Sequence, residues 1–541
     1  MVVVTGGALG IGAGIADALS RGGAFVVVVD PGVTVDGRTP SDEAPAVTAG
    51  GQIRRSNASV TDAPAIEQLF GGLRDEFGRL DTVINVAGIS RATGFAEGAE
   101  EDWAAVLHVH LDGYLNVLRA ALPIMATAGH GRILGVTSGS GWRGANAGAY
   151  SCAKRAVAAL TWQIGRVAPA GVTVNALSPI ALTRMVTGAR PPGAAALPPA
   201  STGATGGLSL AAMPAPEDIG PVGAYLAGEA LAWCSGEVFF SNGSELARIV
   251  PPRVVEAVRS VDVASLARVL EAVIPAAFVS AEATQTTNGA SNARFAGVFD
   301  EPATAEPTAQ RGGRCVVITD DNEWEAPLRD ALTSRGVTIA HIGAGNAVAR
   351  DFAGASEQLV ALARDAGPID AFVVALSGAP TARGGTSGWE HVLDDHSGVA
   401  DQILRDAAWI RAVADYSAEH ARPVRVATVT DATTAGGRSR AQAAAQLARA
   451  AHVATDNRID AFALSVETDH ESRRQVAGEL VAHLLDGADT AALSGAELVV
   501  ASTWFGLRSH PHPEGTISFG GPAVPAWVDD LLHDMVPANP I

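Results

Sequence analysis

The chain has 541 residues, 48% of them hydrophobic, which is ample material for large cores, and its length predicts about two to four domains. Its formal net charge of −19 argues against nucleic acid or an anionic membrane as the main partner. No apolar run reaches the ~18 residues of a membrane span. The N-terminus lacks the basic region of a signal peptide, and the three scattered cysteines form neither a disulfide framework nor a metal-binding spacing. These features predict a cytoplasmic protein with no bound metal.

The first thirty residues alternate strand, glycine-rich turn, helix and strand. Val2-Val-Val-Thr5 is predicted to be a buried strand, and the turn from Gly6 to Gly12 leads into a helix. A second strand, Phe25–Val29, ends at Asp30. Glycines permit a tight turn there, so that a pyrophosphate can lie on the helix N-terminus. Asp30 has the spacing of an acid that binds the adenosine ribose hydroxyls. Because no basic residue adjoins Asp30, the sequence predicts NAD in preference to NADP.

Further strands are predicted to end at the same edge of a sheet. Asn85-Val-Ala-Gly88 closes a strand that begins at Leu80, and Ser178-Pro179 closes one that begins at Val172. Between them, Trp103–Met125 is predicted to be an amphipathic helix that contains His110. From Thr183 to Pro216 the chain is rich in glycine, proline and alanine, which predicts a loop that covers the substrate.

The stretch from Ser138 to Lys154 carries the candidate chemistry. It follows a predicted strand and enters an alanine-rich helix, on which Tyr150 and Lys154 share one face. A phenol has an ordinary pKa near ~10, and a close positive charge brings that pKa toward working pH. Ser138 lies where the strand ends and could hold a substrate oxygen during proton transfer. A Tyr-x-x-x-Lys pair alone is weak evidence, because such pairs often arise by chance.

Together these motifs resemble the short-chain dehydrogenase/reductase family over about residues 1–250. The resemblance rests on Thr5-Gly6 through Gly12, Asn85-Val-Ala-Gly88, Ser138, Tyr150-x-x-x-Lys154, and Asn175 through Pro179. The chain also contains Val26-Val-Val-Val-Asp30-Pro-Gly32, Ser59-Val60, Val109-His110-Leu-Asp-Gly113 and Ser178-Pro179-Ile-Ala-Leu-Thr-Arg-Met185. In these stretches it resembles the dehydrogenase domains of type 2 multifunctional enzymes and bacterial relatives, which oxidise (R)-3-hydroxyacyl-CoA or steroid substrates.

The resemblance implies a role for each motif residue. Tyr150 would be the general acid/base, Lys154 would bind the nicotinamide ribose and lower the Tyr150 pKa, and Ser138 would orient the substrate oxygen. His110 takes the place of an asparagine that in most of the family helps to hold a relay water. Besides Tyr150 and Lys154, the implied cofactor site comprises Gly6, Leu9, Gly10, Ile11, Gly12, Asp30, Ser59, Val60, Asn85, Ala87, Gly88, Pro179, Ile180 and Thr183.

The remainder of the chain repeats the pattern without its chemistry. Residues 251–313 are predicted to form a helix over 254–274 and then a linker, and residues 314–541 echo the first strands and helices. Acidic side chains replace the glycines after the first strand, and no Tyr-x-x-x-Lys follows Asp431, which takes the serine position. The predicted fold is therefore α/β, with two tandem Rossmann-like, doubly wound parallel sheets, the second degenerate and non-catalytic. His510-Pro-His512 is expected in a solvated loop.

Three functions remain open from the sequence. The leading one is an NAD-dependent dehydrogenase that interconverts a secondary alcohol, such as a 3-hydroxyacyl-CoA or steroid-like compound, and its ketone. The alternatives are a ketoreductase for carrier-bound acyl chains and a non-catalytic sensor of NAD(H). The expected partners are a small-molecule substrate and a second copy of the chain, with the two repeats also packed against each other within the chain.

Overall fold

The computed structural model describes residues 1–47, 52–142, 148–188, 214–259, 274–275, 277–278, 313–343, 347–378, 387–487 and 490–536. The predicted linker and most of the predicted loop after Thr183 lie outside these residues. Among the described residues, no helix is both long enough and apolar enough to cross a membrane.

The first half of the chain builds a nine-stranded sheet. Its strands are β1 (Val2–Thr5), β2 (Val26–Val29), β3 (Ile53–Ser56), β4 (Thr82–Asn85), β5 (Gly131–Val136), β6 (Val172–Pro179), β7 (Val238–Ser241), β8 (Glu245–Val250) and β17 (His512–Ser518). Their spatial order is β17-β8-β7-β6-β5-β4-β1-β2-β3, parallel from β3 through β7 and antiparallel for β8 and β17. β1, β2 and β4 are buried along their whole length, as parallel strands covered on both faces are.

Helices cover this sheet, and some of them end at a cap that the sequence supplies. They are α1 (Gly10–Arg21), α2 (Ala63–Phe77), α3 (Glu100–Leu107), a π-helical turn (His108–Asp112), α4 (Gly113–Ala128), α5 (Gly148–Arg166), α6 (Arg184–Gly188) and α7 (Gly220–Leu226). In α2, for example, the Asp62 carboxylate accepts a hydrogen bond from the Ala65 amide, and Gly78 ends the helix with a φ of 71°. An acidic N-cap and a left-handed glycine satisfy backbone groups that the helix itself leaves unpaired.

The second half builds an eight-stranded sheet in a matching order. Its strands are β9 (Val254–Val258), β10 (Gly313–Thr319), β11 (Val337–Ile342), β12 (Ala371–Ala375), β13 (Val424–Asp431), β14 (Ile459–Val466), β15 (Glu497–Val500) and β16 (Phe505–Arg508). The order β11-β10-β12-β13-β14-β15-β16-β9 corresponds to β2-β1-β4-β5-β6-β7-β8-β17 of the first sheet. The helices are α8 (Asn322–Ser334), α9 (Phe352–Ala366), α10 (Gly388–Asp395), α11 (Val399–Glu419), α12 (Ala435–Ala454) and α13 (Glu471–Asp486), and α14 (Trp527–Met535) follows β17. The two parallel-dominated α/β sheets predicted from the sequence are confirmed.

Each half contributes one strand to the sheet of the other. β9 continues from β8 and pairs antiparallel with β16, whereas β17 continues from β16 and pairs antiparallel with β8. At the crossing, the Ser509 amide donates to the Arg253 carbonyl at 2.8 Å. Two predictions were therefore wrong: Val254 begins a strand and not a helix, and residues 512–518 complete the first sheet, outside the second domain. Short strands are placed by distant partners, which no local pattern reveals. The other domain limits stay predictions.

The two halves pack through the helices that flank the middle of each sheet. α5 lies along α12, and α3 and α4 contact α11 and α10. Polar contacts cross the same boundary: Arg119 Nη2 donates to the Leu393 carbonyl at 3.0 Å, and Arg411 Nη1 donates to the Gly98 carbonyl at 3.1 Å. One hydrophobic cluster contains buried residues from both halves. The halves thus share a core.

A buried ion pair lies at the centre of this shared core. Arg155 of α5 is fully buried and its Nη2 donates to Glu497 Oε2 at 2.9 Å. The same nitrogen lies 2.9 Å from His510 Nδ1, and Gln442 Oε1 accepts from Arg155 Nε at 3.1 Å. His510 is 1% exposed, so its predicted place in a solvated loop was wrong. The crossing between β16 and β17 buries it.

His396, at the end of α10, makes stability depend on pH. Its Nδ1 lies 2.6 Å from the Val392 carbonyl, which can only accept, and its Nε2 lies 2.7 Å from the Ser439 hydroxyl. Burial lowers the pKa of His396 from 6.5 to about 4. The unfolded chain therefore takes up this proton first, and stability present above pH 6.5 is lost as the pH falls toward 4.

We expect the His396 contribution to reach on the order of 3 kcal/mol at the acid end of that window. Urea unfolding between pH 7 and 4 should show a shallower pH dependence for His396→Gln than for the wild type. His391→Gln, on the same helix, is the matched control. Equal slopes for His396→Gln and the wild type would contradict the assignment.

Candidate active site

The glycine-rich turn after β1 forms the floor of a cavity at the carboxyl edge of the first sheet. The cavity measures about 440 Å³. Gly6 and Gly10 have φ values of +64° and +58°, which side chains other than glycine rarely adopt. A Cβ on Gly6 would lie 2.7 Å from the Ala87 backbone, and one on Gly12 would lie 2.2 Å from the Gly6 carbonyl. Positions 6, 10 and 12 of the turn therefore favour glycine, and the turn leaves the N-terminus of α1 open to the cavity.

Asp30 lines the same cavity at the end of β2. Its carboxylate accepts hydrogen bonds from the Ala8 amide at 3.2 Å and from the Gly32 amide at 2.9 Å. These bonds hold the acid beside the glycine turn. Of the basic residues on the cavity wall, Arg91 pairs with Asp102 at 3.1 Å and Arg184 pairs with Glu43.

A second cavity of about 500 Å³ adjoins the first and brings the predicted catalytic residues together. Its wall includes Ser138, Tyr150, Lys154 and His110. Both cavities share six lining residues, which are Ile11, Val86, Gly88, Arg91, Thr183 and Met185. A cofactor lying in the first cavity therefore has a direct route to the residues of the second.

Tyr150 and Lys154 lie side by side on α5. The Lys154 ammonium is 5.7 Å from the centre of the Tyr150 ring and donates to the Val136 carbonyl at 2.7 Å. Burial lowers the pKa of Lys154 to about 7 and raises the pKa of Tyr150 above its ordinary value of 10.0, while a hydrogen bond with Ser138 opposes that rise. From the sequence, we expect the Lys154 charge to bring the Tyr150 pKa toward working pH. In the structure burial is the largest effect on the Tyr150 pKa, and it favours the protonated phenol.

His110 sits in the π-helical turn, a distortion that is frequent at functional sites. Its Nε2 lies 2.9 Å from the Ile89 carbonyl and 3.3 Å from the Ile89 amide nitrogen. The shorter contact, to a carbonyl that can only accept, favours the tautomer with the proton on Nε2 and a lone pair on Nδ1. Nδ1 is buried without a hydrogen-bond partner among the described residues. The ring stands edge-on to Tyr150 at 5.1 Å, and burial together with the Lys154 charge holds the pKa of His110 well below 6.5. His110 thus presents a neutral acceptor close to Tyr150.

The cavity walls contain nearly all of the residues predicted for the cofactor site. The first cavity includes Gly6, Leu9, Gly10, Ile11, Gly12, Asp30, Ser59, Val60, Ala87, Gly88 and Thr183, and the second adds Pro179 and Ile180. Asn85 is on neither wall, because its side-chain oxygen accepts from the Thr5 hydroxyl at 2.7 Å and joins β4 to β1. The sequence analysis did not predict Arg91, Met185 and Phe240, which also line the cavities. Arg91 lies three residues after Gly88 in a loop, outside every motif that the sequence analysis used.

Comparisons with known proteins agree with this geometry. A family model described as "short chain dehydrogenase" matches residues 1–192. Short-chain reductase protein NovJ of Streptomyces niveus is 35% identical over 184 residues, which cover 33% of this chain and 68% of NovJ. This chain belongs to the short-chain dehydrogenase/reductase family. Another relative in the comparison is the peroxisomal hydratase-dehydrogenase-epimerase of Saccharomyces cerevisiae, 33% identical over 36% of this chain but only 22% of the yeast protein.

One solved structure spans both halves of this short-chain dehydrogenase/reductase. It is the N-domain, with NADP, of a bacterial malonyl-CoA reductase, which covers 92% of this chain and 96% of its own, with a TM-score of 0.61 and 16% sequence identity. At that identity the likeness concerns the fold alone. It extends the family fold to the arrangement of two joined sheets.

Proposed function

We propose that the chain is an NAD-dependent oxidoreductase that interconverts a secondary alcohol and its ketone, with a 3-hydroxyacyl-CoA or steroid-like compound as substrate. The observation that carries the proposal is the single cavity wall formed by Ser138, Tyr150 and Lys154 next to the glycine-turn cavity. A sensor of NAD(H) needs no such set. The substrate class rests on the resemblance to dehydrogenase domains of type 2 multifunctional enzymes.

The residues present fit a dinucleotide. The turn from Gly6 to Gly12 leaves room that a Cβ would fill, and the amides that begin α1 suit a pyrophosphate. Asp30 would bind the adenosine ribose and Lys154 the nicotinamide ribose. When bound, the nicotinamide supplies or accepts the hydride.

The chain's own residues handle the proton. In ketone reduction the protonated Tyr150 phenol donates to the substrate oxygen, and in alcohol oxidation its phenolate accepts that proton. The Ser138 hydroxyl holds the same oxygen. The lone pair on His110 Nδ1 can accept a hydrogen bond from a water, and that water would take one proton from solvent for each proton that it passes to the Tyr150 phenolate. Because burial raises the Tyr150 pKa, reduction should persist through neutral pH, and oxidation should gain rate as the pH rises.

We propose NAD over NADP because of Asp30. A 2′-phosphate beside this carboxylate would bring like charges together, which costs several kcal/mol. We expect kcat/KM to be at least about tenfold higher with NAD, and Asp30→Ala combined with Pro31→Arg to narrow the gap. Asp17→Ala, on the far end of α1, is the control. The same comparison of NAD with NADP distinguishes the proposed dehydrogenase from a ketoreductase for carrier-bound acyl chains, for which NADPH is the expected cofactor. An equal or better value with NADP would refute the assignment.

The second half is proposed to be non-catalytic. At the edge that corresponds to the glycine turn, the Asp320 carboxylate accepts from the Ser377 amide at 2.8 Å and from Arg405 Nη2 at 2.7 Å. Arg440 and Asp406 form a buried bidentate pair at 2.8 and 2.7 Å. Charged side chains that pair with one another therefore occupy this edge of the second sheet. A homodimer and a cytoplasmic location remain part of the proposal.

Reduction of NAD by the full-length chain should be screened with 3-hydroxyacyl-CoA thioesters, hydroxysteroids and simple secondary alcohols. Turnover with the first two classes and little with simple alcohols is the expected outcome. Turnover restricted to simple alcohols would refute the substrate class and leave the reaction type intact.

A further inference from the structure

Helix α12 of the second half reaches the turn that follows Ser138. Gln446 Nε2 donates to the Ser140 carbonyl at 3.3 Å, and Arg449 Nη1 donates to the Trp142 carbonyl at 2.8 Å. Both side chains are buried, at 0% and 9% exposure. Two backbone carbonyls of the first half therefore depend on donors from the second half.

The same turn holds Ser138 in place. The Ser140 amide donates to Ser138 Oγ at 3.3 Å, the two hydroxyl oxygens lie 3.2 Å apart, and the Gly141 amide donates to the Ser138 carbonyl at 2.9 Å. The inner side of the turn thus fixes the serine, and the outer side is fixed by α12. A shift of the outer carbonyls would move the serine hydroxyl with them.

The amide of Gln446 is oriented by its neighbour. Its Oε1 accepts from Arg155 Nη1 at 3.3 Å, so its nitrogen faces the Ser140 carbonyl. Arg155 follows Lys154 directly on α5 and is itself paired with Glu497. The contacts between the halves therefore surround the helix and the turn that carry Lys154 and Ser138.

We propose that Gln446 and Arg449 are positioning residues of the active site, so that the two halves form one catalytic unit. Neither residue lines the cavities; both act through the backbone of the Ser138 turn. The inference rests on the proposed function only for the role of Ser138.

The test uses two substitutions in the full-length chain. Arg449→Met keeps the aliphatic stem and removes the donors, and Gln446→Glu keeps the acceptor for Arg155 but turns an oxygen toward the Ser140 carbonyl. We expect kcat to fall about 10- to 100-fold in each, since a displacement of ~1 Å can cost that much. The KM for NAD should be unchanged, because the glycine-turn cavity is not contacted. Arg449→Lys, which restores a donor, should recover most of the rate.

Arg438→Met is the matched control. Arg438 lies on the same helix, and its Nε donates across the boundary to Gln163 Oε1 at 3.2 Å, away from the Ser138 turn. Its kcat should match the wild type. An equal loss in Arg438→Met, or a wild-type kcat in Arg449→Met, would overturn the inference. If Arg449→Met fails to fold, Gln446→Glu and Arg449→Lys give the answer.

A second readout needs no turnover. Hydrogen exchange of a peptide that spans Ser138 to Trp142 should be faster in Gln446→Glu and Arg449→Met than in the wild type and Arg438→Met. Unchanged exchange would overturn the inference whether or not the chain is active. Faster exchange in a chain without alcohol turnover would support the positioning contacts and count against the proposed function alone.

Discussion

Tyr150→Phe should lower kcat by about 10²–10⁴-fold while NAD still binds, because the change removes only the oxygen that transfers the proton. The Tyr150 side chain is half-buried, and Tyr150, Lys154 and Ser138 share one cavity wall with His110. Initial rates measure the loss, and a fluorescence titration measures NAD affinity. The ring itself stays, so the packing against His110 should be preserved.

Tyr114→Phe is the matched control for this experiment. Tyr114 is a fully buried tyrosine, its hydroxyl lies 3.3 Å from the Thr161 hydroxyl, and it lines neither cavity. Loss of its hydroxyl should leave kcat within about twofold of the wild type, because no reacting group is touched. Substantial turnover in Tyr150→Phe would remove Tyr150 from its proposed role. A comparable loss of kcat in Tyr114→Phe would mean that the loss in Tyr150→Phe reflects folding and not proton transfer.

Glu497→Ala should destabilise the chain by about 3–5 kcal/mol, because it leaves the Arg155 charge buried without its carboxylate. Both side chains are at most 3% exposed, and they belong to opposite halves. Burial raises the pKa of Glu497 and the charge of Arg155 opposes that rise. Urea unfolding at neutral pH measures the effect.

Glu76→Ala provides the comparison for this pair. Glu76 pairs with Arg54 at 2.8 Å, but both side chains are well exposed, so the expected cost is about 0–1 kcal/mol. If the two substitutions lower the free energy of unfolding by similar amounts, the buried Arg155–Glu497 pair stabilises the chain no more than an exposed ion pair does. A large cost for Glu497→Ala alone would show that the junction stabilises both halves.

Local patterns predicted the first sheet, and most of the candidate site residues that they indicated lie together at one edge of it. A short-range physical reason explains each motif, namely the glycines Gly6 and Gly12, the acid Asp30 and the Tyr-x-x-x-Lys pair. The structure places all of them at one edge of the sheet. Asn85 was assigned to the site because it ends a strand there, but the choice between cavity and neighbouring strand depends on a contact with Thr5.

The connections between the halves could not be predicted in the same way. Gln446 and Arg449 lie on an alanine-rich helix, where polar side chains usually indicate a solvated face. They are buried because the carbonyls of Ser140 and Trp142, distant in sequence, accept their hydrogen bonds. The exchanged strands β9 and β17 likewise find partners in the other half. Such pairings are properties of the assembled fold, and a single sequence contains no short-range pattern for them.

We propose hydride transfer between the carbinol carbon of a secondary alcohol and nicotinamide in the site of Ser138, Tyr150 and Lys154. The most direct test supplies an active alcohol deuterated at that carbon and examines the cofactor by mass spectrometry. We expect one deuterium in each NADH formed, one ketone per NADH, and neither product with Tyr150→Phe. Unlabelled NADH, or NAD that binds without turnover of any secondary alcohol, would contradict it.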